Sequence, residues 1–214
     1  MPPKPRLHNA AIRAPMPRQF EPMLPTLVHK PFSSDQWLFE PKWDGWRAMC
    51  FVTDNEAQFI SRRRNSLDER FPQLRQARKV IEATTAVLDG EIVALDENGF
   101  PRFNRLRSRG TAVVFYAFDL LYLDGFDLSQ CPLIKRKALL KKILPRNNTG
   151  RIRFTQHISG NGEQLFKQIE ALNLEGMVMK RKDSVYAFTK CRDWLKVRTT
   201  AGTVTIERRL ENWK

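Results

Sequence analysis

Apolar residues in this chain fall into short alternating or continuous runs more often than into helical stripes. Alternation and β-branched or aromatic content predict strands over Trp37–Pro41, Trp46–Phe51, Ala57–Ser61, Ala86–Leu95, Val113–Leu121, Gly176–Arg181 and Trp194–Arg198. Helices are predicted over Ser66–Ile81, Leu133–Ile143 and Gly162–Leu172. The last carries Leu165, Ile169 and Leu172 on one face. Strands outnumber helices, and several follow one another across short turns such as Asp44-Gly45 and Asp96-Glu97-Asn98-Gly99. This pattern favours an α+β fold of antiparallel sheets flanked by helices over a doubly wound parallel sheet. No internal repeat is evident.

Proline and charge divide the chain. Residues 1–20 hold five of the thirteen prolines and four basic residues, and are expected to form a flexible basic arm. Residues 21–200 are expected to form one domain, entered through an extended lead-in from Glu21 to Pro31. Residues 201–214 are a tail in which Thr203-Val204-Thr205-Ile206 has the alternation of a final strand.

With 214 residues, 42% hydrophobic and 28% charged, the chain is long enough for a real core and has the balance of a soluble globular protein. No apolar run is long enough to span a bilayer, and no secretory signal is visible. Cys50, Cys131 and Cys191 lie far apart with no Cys-x-x-Cys pair, which suits reduced thiols in a cytoplasm better than a zinc site. His8, His29 and His157 are scattered and read as surface or core residues. The net charge of +14 favours a polyanionic partner. Arginine, with its bidentate phosphate geometry, dominates the basic clusters Arg62-Arg63-Arg64 and Arg102 to Arg109; a third is Lys180-Arg181-Lys182.

Six segments carry candidate chemistry. In Glu40-Pro41-Lys42-Trp43-Asp44-Gly45-Trp46-Arg47, a lysine is expected at the mouth of a hairpin, beside a turn and near an arginine. A lysine becomes nucleophilic when burial or neighbouring cations lower its pKa. Alone, the motif equally describes a solvated lysine in a hairpin turn. Arg62 leaves a strand where it can clamp a phosphate or ribose, and alone it equally describes a solvated basic turn. Asp89 and Glu91 share a strand face in Leu88-Asp89-Gly90-Glu91-Ile92-Val93, where a carboxylate needs a partner such as a ribose or a metal ion unless the strand is an edge with both carboxylates in water. Phe118, in the apolar run from Val113 to Leu121, can present a ring to a purine, although core packing explains it as well. Glu175, at the start of a strand, suits Mg²⁺, although a plain turn acid explains it about as well. Lys196 and Arg198 share one strand face and repel each other unless an anion lies between them. A triphosphate would satisfy both, and both would lower the pKa of a nearby Lys42.

In this order the segments resemble the nucleotidyltransferase motifs of ATP-dependent DNA ligases, over roughly Glu21 to Arg198. The resemblance looks nearest to the ligase domain of bacterial end-joining ligases, through Glu21-Pro22-Met23-Leu24, the Lys42 motif and Asp89-Gly90-Glu91-Ile92-Val93. It implies that Lys42 attacks the α-phosphate of ATP and carries AMP. Arg47 and Glu91 would contact the ribose, Arg62 sugar or phosphate, Phe118 the adenine face, and Glu40 the side of the base. Glu175, with Glu91, would hold Mg²⁺ or Mn²⁺, while Lys196 and Arg198 would bind the α-phosphate. AMP would pass to a 5′-phosphate at a nick in duplex DNA, and a 3′-hydroxyl would seal the strand. Arg63, Arg64, Arg105, Arg107 and Arg109 would grip the duplex backbone. The resemblance further implies a monomer acting with end-joining or repair proteins, and no membrane. RNA ligases and capping-type guanylyltransferases share the lysine motif, and a catalytically silent DNA-binding module of the same fold is a further alternative.

Two departures stand out. The family usually has lysine where this chain has Arg198. It also normally continues into an oligonucleotide-binding β-barrel that orients pyrophosphate, so the chain is expected to be either an excised core or a minimal ligase.

Overall fold

The computed structural model describes residues 7–108 and 110–204. Twelve strands are defined among them: β1 Ile12–Arg13, β2 Leu24–Leu27, β3 Ser34–Pro41, β4 Trp46–Val52, β5 Ala57–Ser61, β6 Ala86–Ala94, β7 Val113–Leu123, β8 Phe126–Asp127, β9 Ile152–Phe154, β10 Ile158–Gly160, β11 Gly176–Arg181 and β12 Lys190–Arg198. The helices are α1 Ala77–Val80, α2 Leu133–Ile143 and α3 Gly162–Ala171, with 3₁₀ turns at Pro72–Gln76 and Phe103–Arg107.

Two sheets form. The first has seven strands in the order β1-β8-β7-β6-β4-β5, with β9 also pairing β7; the second has five, in the order β10-β3-β11-β12-β2. Only the β7–β9 and β12–β2 pairs are parallel; the other strand pairs are antiparallel. The α+β reading of antiparallel sheets flanked by helices therefore holds, and neither sheet closes into a barrel among the described residues.

Strand alternation sorts the side chains into layers. Ala48, Cys50, Val52, Leu88, Phe115 and Leu140 are among those packed on the helix-covered face of the first sheet. Leu38, Met49, Phe51, Val87, Phe118 and Trp194 fill the space between the sheets. Phe39, Met177, Met179 and Val197 pack with Ile169 of α3 on the far face of the second. All eleven residues of β7 are buried, as expected for a strand covered on both sides.

Three expectations change. β3 and β4 are not a hairpin: β3 belongs to the second sheet and β4 to the first, so residues 42–45 cross between sheets. Gly45 permits this crossing, because a Cβ there would collide with the carbonyl oxygen of Ile92 in β6. The long helix expected over Ser66–Ile81 reduces to a 3₁₀ turn and the single turn of α1. Pro72 lacks an N–H and holds Phe71 out of the helical region, at φ −128° and ψ 59°. Residues 200–204 are helical where alternation suggested a strand; Thr205 and Ile206 lie outside the described residues.

The first six residues of the N-terminal arm also lie outside the described residues. Farther on, the arm is held down: β1 pairs β8, the Ala14 N–H donates to Gly125, and the Tyr122 hydroxyl donates to Ala14.

Candidate active site

A cleft of about 210 Å³ opens between the sheets at the crossover, bordered by Glu40, Lys42, Arg47, Glu91, Phe118 and Lys196, with Arg62 at its rim. The alternation that builds the core also builds this cleft. Glu40 continues the inward face of Leu38, Arg47 that of Met49, Glu91 that of Val87, and Lys196 that of Trp194.

Lys42 stands at the end of β3, its N–H held by the carbonyl of Gly176 at 2.8 Å. Its ammonium donates to Glu175 Oε2 at 2.7 Å. Glu175 directly precedes β11. Its backbone oxygen accepts from Thr199, and residue 202 must be glycine-sized because a Cβ there would collide with that same oxygen. Lys42 also borders a second cleft of about 220 Å³, on whose walls lie Asp44, Arg102, Asn104, Asn173 and Glu175.

Charges at this end are poorly balanced. Burial, then Lys42 and Arg198, pushes the Lys196 ammonium below its ordinary pKa. Arg198 Nε is buried with no hydrogen-bond partner, an orphan donor of the kind an anion would satisfy. Glu91 is pushed up to about 8 by burial; Lys42 and Arg47 oppose this, and Glu175 and Asp89 add to it. A carboxyl held toward its neutral form beside a second carboxylate suits a shared cation. Mg²⁺ needs one or two carboxylates, with water and phosphate oxygens completing its shell, so Glu175 and Glu91 fit that ion. Of the three cations singled out in the sequence, Lys42 and Arg198 both come near enough to act on Lys196.

The opposite end is tightly paired. Arg47 donates from Nε and Nη2 to Asp89 at 2.8 and 2.6 Å and from Nη2 to the Met23 carbonyl at 3.0 Å, while the Tyr186 hydroxyl donates to Asp89 at 2.7 Å. The guanidinium expected at a ribose is therefore anchored by Asp89, a residue noted in the sequence only as a neighbour of Glu91. Arg47 also lies 5.0 Å from the Phe118 ring centroid. Lys180, read as part of a surface cluster, is only 2% exposed: it shares the inward face of Val178 because Met177 and Met179 face α3. Its ammonium sits 2.7 Å from Glu40 Oε2 and 4.2 Å from the centroids of both Phe118 and Trp194. Sheet parity alone would have found it. Lys137 of α2, 2.6 Å from Glu40 Oε1, carried no local signal beyond its place on the buried stripe with Leu133 and Leu140.

The expected backbone-gripping arginines are spread out. Arg62, Arg63 and Arg107 are exposed, Arg64 pairs with Glu21, and Arg105 pairs with Glu97 at 3.0 Å. Arg109 lies outside the described residues.

Comparison with known proteins points to one family. Residues 22–198 match the family described as ATP dependent DNA ligase domain. The chain is similar to the multifunctional non-homologous end joining protein LigD of Pseudomonas aeruginosa, 32% identical over 87% of this chain and 23% of that protein. It is also similar to LigD of Mycolicibacterium smegmatis, 34% identical over 84% of this chain and 24% of that protein. It thus spans about a quarter of the length of these relatives. Among solved structures, mycobacterial DNA ligase D complexed with ATP and MES matches at a TM-score of 0.74 and 34% identity, over 84% of this chain and 60% of that one. The ligase domain of M. tuberculosis LigD matches at 0.72 and 33%, over 84% and 59%. On this likeness, the chain belongs to the ATP-dependent DNA ligase domain family.

Proposed function

We propose that this chain is the adenylating core of a DNA ligase that carries AMP on Lys42 and seals breaks in duplex DNA. The observation that carries the reading is Lys42 at the sheet crossover, between Glu175 and the Lys196–Arg198 face, with an unpartnered Arg198 donor beside it. The Lys42 amine, once deprotonated, forms a nitrogen–phosphorus bond with the α-phosphorus of ATP as the bond to pyrophosphate breaks. Lys196 and Arg198 stabilise charge on the transferring group. Phe118 and Glu40 border the base, and Arg47 and Glu91 the ribose. A divalent cation held by Glu175 and Glu91 supplies further charge neutralisation when bound. AMP then moves to a 5′-phosphate, and attack by a 3′-hydroxyl joins the strands and releases AMP. Arg62, Arg63, Arg64, Arg105, Arg107 and Arg109 hold phosphates without reading sequence.

The relatives named for end joining support placing the substrate among DNA breaks and the partners among repair proteins. On this reading the chain acts as a monomer in a cytoplasm. Among the described residues no helix is long and apolar enough to cross a membrane.

Intact-mass measurement after ATP and Mg²⁺ tests the reading. One added AMP on wild-type protein and none on Lys42→Ala is expected, with binding to nicked duplex retained by both. A wild-type chain that takes no label under any divalent metal sinks the reading and leaves a binding module.

A further inference from the structure

The base-facing end of the cleft contains three buried ionisable groups where two would pair. Glu40 and Lys180 are each 2% exposed and Lys137 1%. Lys137 comes from α2, behind the first sheet, and holds three things together. Its ammonium lies 3.2 Å from the Phe118 carbonyl, 3.3 Å from the Thr155 carbonyl and 2.6 Å from Glu40 Oε1. It therefore ties the backbone of the ring at the cleft wall to the carboxylate at its floor.

The other charges facing this cluster are already matched. Asp119 receives a bidentate pair from Arg136, both fully buried, and Arg47 is paired with Asp89. His157 is pushed down to about 4 by burial and then by Lys137, so it is neutral at physiological pH. Glu40, Lys137 and Lys180 remain, one carboxylate for two ammoniums. Burial disfavours the Glu40 charge, but the two lysines outweigh it and hold its carboxyl below the ordinary value. With Lys137 on one oxygen and Lys180 on the other, the surplus charge falls on Lys180. That ammonium is buried against two aromatic faces and has no well-aligned hydrogen bond. An unfilled donor beside an acceptor at the cleft floor suits a ring that presents an amine donor next to a ring-nitrogen acceptor. A 6-aminopurine has that order; a 6-oxopurine reverses it and sets its oxygen against the carboxylate.

We propose that Lys137 is a positioning residue for base selection: it fixes Glu40 as the acceptor and leaves Lys180 as the open donor, so that the cleft prefers a 6-aminopurine nucleotide. This rests on the nucleotide-binding reading above. Without Lys137, the 2.7 Å contact between Glu40 and Lys180 becomes a one-to-one ion pair, and the surplus charge that frees Lys180 toward a base is gone.

The test measures lysine adenylylation by the full chain with ATP and GTP across pH. Lys137→Met is expected to raise KM for ATP roughly tenfold, to change kcat less than about threefold, and to lower ATP-over-GTP preference roughly tenfold. Burial places Lys180 at about 8, with Lys137 adding to the depression and Glu40 opposing it, so the wild-type KM for ATP is expected to rise above that pH. Removing the Lys137 charge should move that rise upward by about one pH unit. A purely structural lysine would not move it. Lys137→Arg, which keeps the charge, should stay within about threefold of wild type. Should Lys137→Met not fold by circular dichroism, Lys137→Gln takes its place. A folded variant with wild-type KM, base preference and pH profile overturns the proposal, and so does failure of both neutral variants to fold, which would assign Lys137 to stability alone. Wild-type labelling with an unaltered variant leaves the ligase reading standing; no wild-type labelling removes both.

Discussion

The two ends of the cleft follow opposite electrostatic rules. At the base end every carboxylate has a cation within hydrogen-bond reach: Glu40 with Lys137 and Lys180, Asp89 with Arg47, Asp119 with Arg136. At the phosphate end Lys42, Lys196 and Arg198 crowd one another, Glu91 is driven toward its neutral form, and Arg198 Nε has no partner. A neutral base can be recognised by groups already arranged, since burying unpaired charge beneath it costs several kcal/mol; the surplus charge of Lys180, held against two rings, is the exception. A polyphosphate brings its own charge, so the site that receives it stays unbalanced until it arrives. Polar order without ligand therefore marks where shape and hydrogen bonding are read. Polar frustration marks where charge is to be neutralised.

The sharpest break of this contrast is at the phosphate end. Lys196→Ala is expected to slow Lys42 labelling by about 10²–10³-fold, the range for removing one oxyanion-stabilising donor. It should leave the melting temperature of the unliganded chain unchanged or higher, because it relieves repulsion. Rapid-quench labelling and calorimetry read the two effects, and a large loss of stability with unchanged labelling would reverse the assignment.

The mirror experiment is Asp89→Asn. It leaves the Arg47 guanidinium buried without its charge partner, and a loss of about 3 kcal/mol in urea unfolding is expected. Labelling should fall mainly through KM. A stability change below about 1 kcal/mol would show that the base end is no better ordered than the other.

The smallest effect concerns Lys180. Its ordinary value is 10.5 and its folded value about 8, lowered chiefly by burial. Between these values the unfolded chain binds more protons than the folded one, so this group makes stability rise with pH. The cost of its charge is fully present below about pH 8 and is relieved as pH approaches 10.5. Lys180→Met should flatten that rise, and at pH 7 should cost less than about 1 kcal/mol because Glu40 keeps Lys137 as partner. Melting curves across this range decide it.

The strands over Ala57–Ser61 and Gly176–Arg181 and helix α2 were legible from pattern alone, since each is a local periodicity with clear turn signals. So were the residue types of the lysine motif, the Asp89–Glu91 strand and the Lys196–Arg198 face. What pattern could not carry was pairing. A hairpin and a crossover look alike between Pro41 and Trp46, and only Gly45 packed on Ile92 decides between them. Whether Lys180 lies in a basic patch or under a base depends on which face of β11 meets α3. That Lys137 of α2 reaches a carboxylate of β3 is set by two elements far apart in the chain. Residue type and spacing thus determine which chemistry is available, because alternation and helical period are properties of the local backbone. Tertiary structure alone decides which charges become partners and which stay unmatched, because that depends on distances between strands that the chain brings together only when it folds.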